Sequence, residues 1–210
     1  MDARTYSGRA TPKSLRTRAR ILDAAMTLFA ELGYHEATNP RIAAAAKLTR
    51  GAMLYHFASR EELVEAAVQH IDRARAALFE AAAQASAAAG QDASEAAIDA
   101  YWSLLHEVPF RAFAELEAAA RTDAMLRARL GAAQAAFDRA QVGDRFGALA
   151  QAGADPRFQT SRDLGRFLLE GLAHGAMTYD EAQRRQRLLA VVKRAVRMLN
   201  RKGDVHGLWD

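Results

Sequence analysis

Between residues 38 and 60 the chain gathers side chains suited to holding a polyanion. Thr49, Arg50, Gly51 and Ala52 stand in a row: a hydroxyl, a planar cation and two nearly bare positions. A helix that starts this way lets its backbone N–H groups meet phosphate, while the guanidinium fork matches the paired acceptors of guanine in a major groove. Tyr55, His56 and Arg60 follow where a nucleic-acid backbone would pass, and Thr38, Asn39 and Lys47 precede the row. Plainer employments exist for each: Thr49 as a helix cap, His56 as a buried, hydrogen-bonded ring, Arg50 as a solvated cation. A second constellation, Glu170 and His174, has the four-residue spacing of two metal ligands on one helix face. No second Glu–His pair completes it, and the chain has no cysteine, glycine-rich phosphate loop or nucleophile elbow. An enzyme is thus the weaker class, and no metal or cofactor is expected.

The elements around these residues read almost wholly as helix, since the chain is rich in Ala, Leu, Glu and Arg and has only four prolines. Residues 1–13 read as a flexible basic arm. Ile21, Leu22, Ala25, Leu28, Phe29 and Leu32 recur at helical spacing and end at Gly33, a left-handed C-terminal cap. A short second helix starts at Asn39-Pro40 and buries Ile42, Ala43 and Ala46. Lys47-Leu48 makes a tight turn, Thr49 caps a third helix through Phe57, and Ser59 caps a long fourth. Two short helices about such a turn follow the helix-turn-helix plan. Charge agrees: residues 1–60 hold ten basic side chains against four acidic ones, whereas the rest holds 19 basic and 21 acidic. A basic first third on a near-neutral body points to a polyanionic partner at one end.

The stretch from Thr17 to Leu63, with "LFAELGY", an "IA" step, "LTRGAMLYHF" and "SREEL", resembles the tetracycline-repressor (TetR) family of bacterial one-component regulators. The resemblance implies a three-helix DNA-binding head, a homodimer and a C-terminal ligand-binding core, with transcription repressed until a small molecule binds. Two positions depart from the pattern. Lys47 stands where the family usually has glycine, so a left-handed backbone there is mildly strained. Leu54 replaces a tyrosine that touches the DNA backbone in many members, so the contact role is carried to Tyr55 and His56. The expected contacts to double-stranded operator DNA are Thr38, Asn39, Lys47, Thr49, Arg50, Gly51, Ala52, Tyr55, His56 and Arg60.

The expected fold is therefore all-α with about nine helices: arm 1–13, helix-turn-helix head 14–60, and a larger effector and dimerisation domain 61–210. Within that domain Tyr101, Trp102, Phe110, Phe113, Met125, Phe137, Phe167, His174 and Met177 are large side chains available to line an effector cavity, though most aromatics at helical spacing are plain core. Glu117 and Arg121, four apart, either pair on their helix or receive a polar group of an as yet unspecified small-molecule effector. Leu164, Leu168, Gly171, Leu172 and Gly175 form one stripe, and Leu188, Leu189, Val192, Val196 and Leu199 another. Doubled by a two-fold axis these give a four-helix dimer interface; otherwise both pack within one chain. No run of 18 apolar residues and no signal-peptide core occurs, so a cytoplasmic protein without membrane contact is expected.

Overall fold

The computed structural model describes residues 11–88, 93–142, 156–176 and 182–200, and among them the chain is all-α with nine helices. They are α1 (Pro12–Glu36), α2 (Asn39–Ala45), α3 (Arg50–His56), α4 (Arg60–Ala88), α5 (Ala93–Leu104), α6 (Val108–Ala120), α7 (Ala124–Val142), α8 (Pro156–Ala176) and α9 (Ala182–Asn200). None of these helices is long and apolar enough to cross a membrane. The chain divides into two compact units. One takes the chain as far as Ile71 together with Ala112–Leu130, and the other takes Asp72–Arg111 and the chain from Gly131 onward. The first unit runs beyond residue 60, because Leu63, Val64, Ala67, Val68 and Ile71 of α4 are buried in it.

Local chemistry explains the head. Thr11 caps α1 by accepting from the Ser14 N–H at 3.2 Å, and Pro12 occupies the first helical position, where its missing N–H costs nothing. Helix therefore begins two residues inside the expected arm. Gly33, at φ 77° and ψ 169°, breaks α1 into a kink that only glycine adopts without strain. A Cβ there would also stand 3.2 Å from Glu115 Oε2.

After α2 the turn closes with Lys47 N–H donating to Ala44 O and Leu48 N–H to Ala43 O, both at 2.9 Å. This crossed pair satisfies two orphan carbonyls and requires a left-handed residue at position 47. Lys47 supplies it at φ 54°, the one non-glycine residue with positive φ among the described residues. Ile21 and Phe29 of α1, Ile42 and Ala43 of α2, and Met53 with Phe57 then fill one interior. Each large side chain so buried contributes about 1.5–3 kcal/mol.

The second unit has its own core of Ile98, Tyr101, Leu104, Phe110, Phe137, Leu169, Val192 and Val196. α5, α8 and α9 pack on one another to form it. α8 and α9 approach closely at Gly165, where a Cβ would lie 3.4 Å from the Val196 side chain. Lys193 on α9 closes the same packing from outside with a 2.6 Å ion pair to Asp99 on α5.

Candidate functional site

The third helix has an inner and an outer side with different employments. Met53 is fully buried, and Phe57 after it is buried too, so the helix is anchored through its far end. Thr49 accepts from the Ala52 N–H at 3.1 Å, the capping expected of it, and its position at the helix start stays exposed. Arg50 and Gly51 are exposed, and a Cβ at Gly51 would meet nothing within 4 Å. No packing demand explains glycine there; a bare surface that another backbone can approach does. Among the described residues the Arg50 and Lys47 side chains form no hydrogen bond or ion pair, so both cations face water. Tyr55 is 84% exposed, its ring meeting that of His56 edge-on at 5.4 Å. Thr38, the N-cap of α2, makes no side-chain cap bond and is exposed. Thr38, Lys47, Thr49, Arg50, Gly51 and Tyr55 thus combine hydroxyls, two cations and an open helix start on the α2–α3 elements.

Four of the expected contacts are engaged within the chain. Arg60 is turned inward: it donates to Ala37 O at 2.7 Å, Tyr34 O at 3.0 Å and Asn39 Oδ1 at 3.3 Å. Its guanidinium also lies 5.1 Å from the Tyr34 ring centroid and 5.5 Å from that of Phe29. Burial pulls its pKa below the usual arginine value, against the opposing influence of Tyr34 and Glu61, and an arginine remains charged at neutral pH. Arg60 therefore braces the corner between α1, α2 and α4. Asn39 is half-buried as its acceptor and sits one place inside α2, with Thr38 in the capping position. His56 is half-buried, and its carbonyl takes a 2.7 Å bond from Arg18. Ala52 is also half-buried and offers its N–H to the Thr49 cap.

Arg18 is counted in the basic first third, but its part in this corner has no local signature in the sequence. From α1 it caps the end of α3, stacks at 4.0 Å over Phe57 and lies 3.8 Å from Glu62. Glu62 in turn accepts from the Ala58 N–H at 2.9 Å, and its own N–H donates to Ser59 Oγ at 3.1 Å. The α3–α4 corner is thereby tied to α1. Nothing in the local pattern around Arg18 marks this, since its partner lies 38 residues away.

The residues expected to line an effector site fall in both units. Phe113, Glu117 and Arg121 belong to the unit that holds the head, Phe113 buried and the other two exposed. Phe167 is 59% exposed on α8 and Met125 is exposed on α7. His174 is exposed on α8, and Met177 lies outside the described residues. Trp102 is half-buried with its ring against His106. What remains together is Phe110 and Phe137, joined by Phe79, Tyr101 and Arg75, which is buried. Beside them Tyr101 donates to Glu170 at 2.7 Å, and Arg166 meets Asp138 at 3.2 Å and Glu170 at 3.4 Å. Burial, with the Glu170 charge adding to it, pushes the Tyr101 phenol far up, so it stays a neutral donor. Glu170 is thus committed to Tyr101 and Arg166, while His174 faces out.

The stripes on α8 and α9 also sort differently from expectation. Val192 and Val196 are buried within the chain's own core. Leu164, Leu168 and Leu188 are exposed, as are Gly171 and Gly175, and Leu172 is half-buried. Phe167, Val191 and Met198 are exposed as well and widen this apolar face. Leu199 lies on α9.

Residues 21–67 match the sequence profile of the bacterial regulatory proteins, tetR family. The HTH-type transcriptional regulator UidR of Escherichia coli (strain K12) is 38% identical over 52 residues, 25% of this chain and 26% of that protein. The match thus spans about a quarter of that relative's length. A member of the TetR family from Streptomyces coelicolor A3 is similar in structure over 85% of this chain and 97% of its own, with 24% identity and a TM-score of 0.61. The TetR-like transcriptional regulator LfrR from Mycobacterium smegmatis, solved in complex with proflavine, covers 88% of this chain and 96% of its own at 20% identity and a TM-score of 0.51.

Proposed function

We propose that this chain, similar over residues 21–67 to the bacterial regulatory proteins of the tetR family, is a transcriptional regulator that binds a palindromic operator in double-stranded DNA as a homodimer, represses transcription there, and is released by a small-molecule effector. The observation that carries the reading is the outer side of α3. Arg50 is exposed at a helix start that also presents a bare Gly51 and the capping Thr49, and its guanidinium has no hydrogen bond or ion pair among the described residues. A planar fork held there reads guanine, while Thr38, Lys47 and Tyr55 hold phosphate. Work of this kind places the protein in the cytoplasm with its DNA.

One short recognition helix reads too few base pairs alone, so two copies on paired half-sites are needed. The exposed apolar face of α8 and α9, with Leu164, Phe167, Leu168, Leu188, Val191 and Met198, supports a two-fold four-helix contact. The separate aromatic core of the second unit supports an effector site, as does the likeness in fold to LfrR, a regulator solved with proflavine. An effector acts only by preferring the dimer geometry that mismatches the half-site spacing.

The test is a titration of Arg50→Ala against cognate and scrambled duplexes over a range of salt. The variant loses about 1–3 kcal/mol on the cognate site and relaxes preference at one base pair per half-site. Equal loss on both duplexes would make Arg50 a phosphate contact, and binding insensitive to salt would count against DNA binding by this face.

A further inference from the structure

Most cations of the first unit are employed inside it. Arg18, Arg41, Arg60, Arg127 and Arg129 each hold a carbonyl or a carboxylate oxygen at 2.7–2.8 Å. Lys13, Arg16 and Arg20 on α1 are different: all three are exposed, and among the described residues their side chains form no hydrogen bond or ion pair. Their spacing of three and four residues puts them on one helix face, over about 10 Å of axis. The face is held in helix from its first residue, because the Thr11 cap and Pro12 start α1 ahead of Lys13, and Thr17 Oγ1 donates to Lys13 O at 3.0 Å. Asp23, the nearest acid along α1, meets His70 at 2.7 Å and does not pair with Arg20. The same stretch of α1 lies beside the outer end of α3, where Arg18 donates to His56 O at 2.7 Å and the neighbouring Tyr55 is 84% exposed.

We propose that the amino-terminal half of α1 is a second DNA-backbone surface, with Lys13, Arg16 and Arg20 seated on phosphates adjoining those held at Tyr55. This rests on the reading of the chain as an operator-binding regulator, and it adds a contact surface outside the family match over residues 21–67. Cations that nothing in the chain neutralises gain by displacing the counterions condensed on DNA. One strand carries a charge per about 3.4 Å of axis, so about 10 Å of helix face meets more than one phosphate. Such contacts hold and orient the protein without reading bases. α1 therefore supplies affinity for any duplex, and Arg50 on α3 supplies preference.

The experiment uses the full chain, a duplex that it enriches from a random-sequence pool, and a scrambled duplex of the same length and composition. Binding is titrated over a range of salt. Lys13→Gln, Arg16→Gln and Arg20→Gln combined should lower the magnitude of the salt slope by about 2–3 per subunit on both duplexes, and weaken binding at low salt by at least about tenfold. Base preference and Tm should stay as in wild type, since the three side chains make no bond within the chain. Arg16→Gln alone should lower the slope by about 1 per subunit. Arg121→Gln removes a cation that is also exposed in the first unit and should leave the slope alone, which separates contact from net charge. The proposal is overturned if the triple variant keeps the wild-type slope, if it loses affinity for the enriched duplex only, or if Arg121→Gln acts as strongly as Arg16→Gln. Arg50→Ala is titrated alongside. A triple variant with the wild-type slope, while Arg50→Ala still erases preference, removes α1 and spares the operator reading. A wild type that prefers no sequence, yet loses salt slope in the triple variant, keeps the α1 surface and sinks the operator reading.

Discussion

Replacing Arg60 by alanine separates two employments that look alike in sequence. The inward guanidinium joins the end of α1, the start of α2 and the first turn of α4 through Ala37 O, Tyr34 O and Asn39 Oδ1. Two of these bonds are short and charge-assisted; for a half-buried group each is worth about 1 kcal/mol after screening, toward the low end of such bonds. The stacking on Tyr34 and Phe29 adds about 0.5–1 kcal/mol. Arg60→Ala should therefore cost about 2–3 kcal/mol, or a fall of roughly 5–10 °C in Tm for a chain of this size. Arg60→Lys, a point donor that cannot span two carbonyls, should recover less than half. The assay is thermal and urea unfolding of the full chain by circular dichroism, with operator titrations at several salt concentrations. Operator affinity should fall because the α1–α2 corner loosens, with little change in salt slope per subunit. An unchanged Tm together with a salt slope smaller in magnitude by about 1 per subunit would show Arg60 on phosphate and refute the brace.

Further outcomes follow from other positions. Lys47→Gly relieves the left-handed strain at φ 54° and should stabilise the head by about 0.5–1 kcal/mol while weakening operator binding at low salt; a urea midpoint that does not rise contradicts the strain. Leu168→Glu with Leu188→Glu places carboxylates on the exposed α8–α9 face and should yield folded monomers by sedimentation that no longer hold a two-half-site duplex; an intact dimer would move the interface elsewhere. Asp72 has one carboxylate oxygen buried with no hydrogen-bond partner, and burial raises its pKa despite Arg75 and Arg73. A raised acid pKa means that folding holds the proton more tightly, so stability is lost as pH climbs from the unfolded value toward the folded one. Asp72→Asn should then be the more stable protein at neutral pH and lose that advantage below about pH 4; equal unfolding midpoints at pH 7 would contradict this.

Features set within one turn of chain were legible in the sequence. The Thr49 cap, the left-handed turn at Lys47, the break at Gly33 and the inward pair Met53 and Phe57 all follow from side chains a few residues apart. So does the outward placement of Arg50 and Tyr55, because a helix with one buried side must show the other. The all-α class was legible for the same reason.

What the sequence could not determine was which of several equivalent side chains would find a distant partner. Arg50, Arg60, Arg18 and Arg75 are the same residue with the same intrinsic reach. One faces water, two brace corners across 21 to 38 residues of chain, and one is buried on aromatic rings. The α9 helix shows the same limit, because Leu188, Val191, Val192 and Val196 offer two overlapping apolar stripes. Only packing against α5 and α8 turned Val192 and Val196 inward and left Leu188 and Val191 outside. Periodicity specifies that a helix has an apolar side. Burial energy is non-directional, so where that side points, and which cation loses its water, is decided only when the helices close on one another.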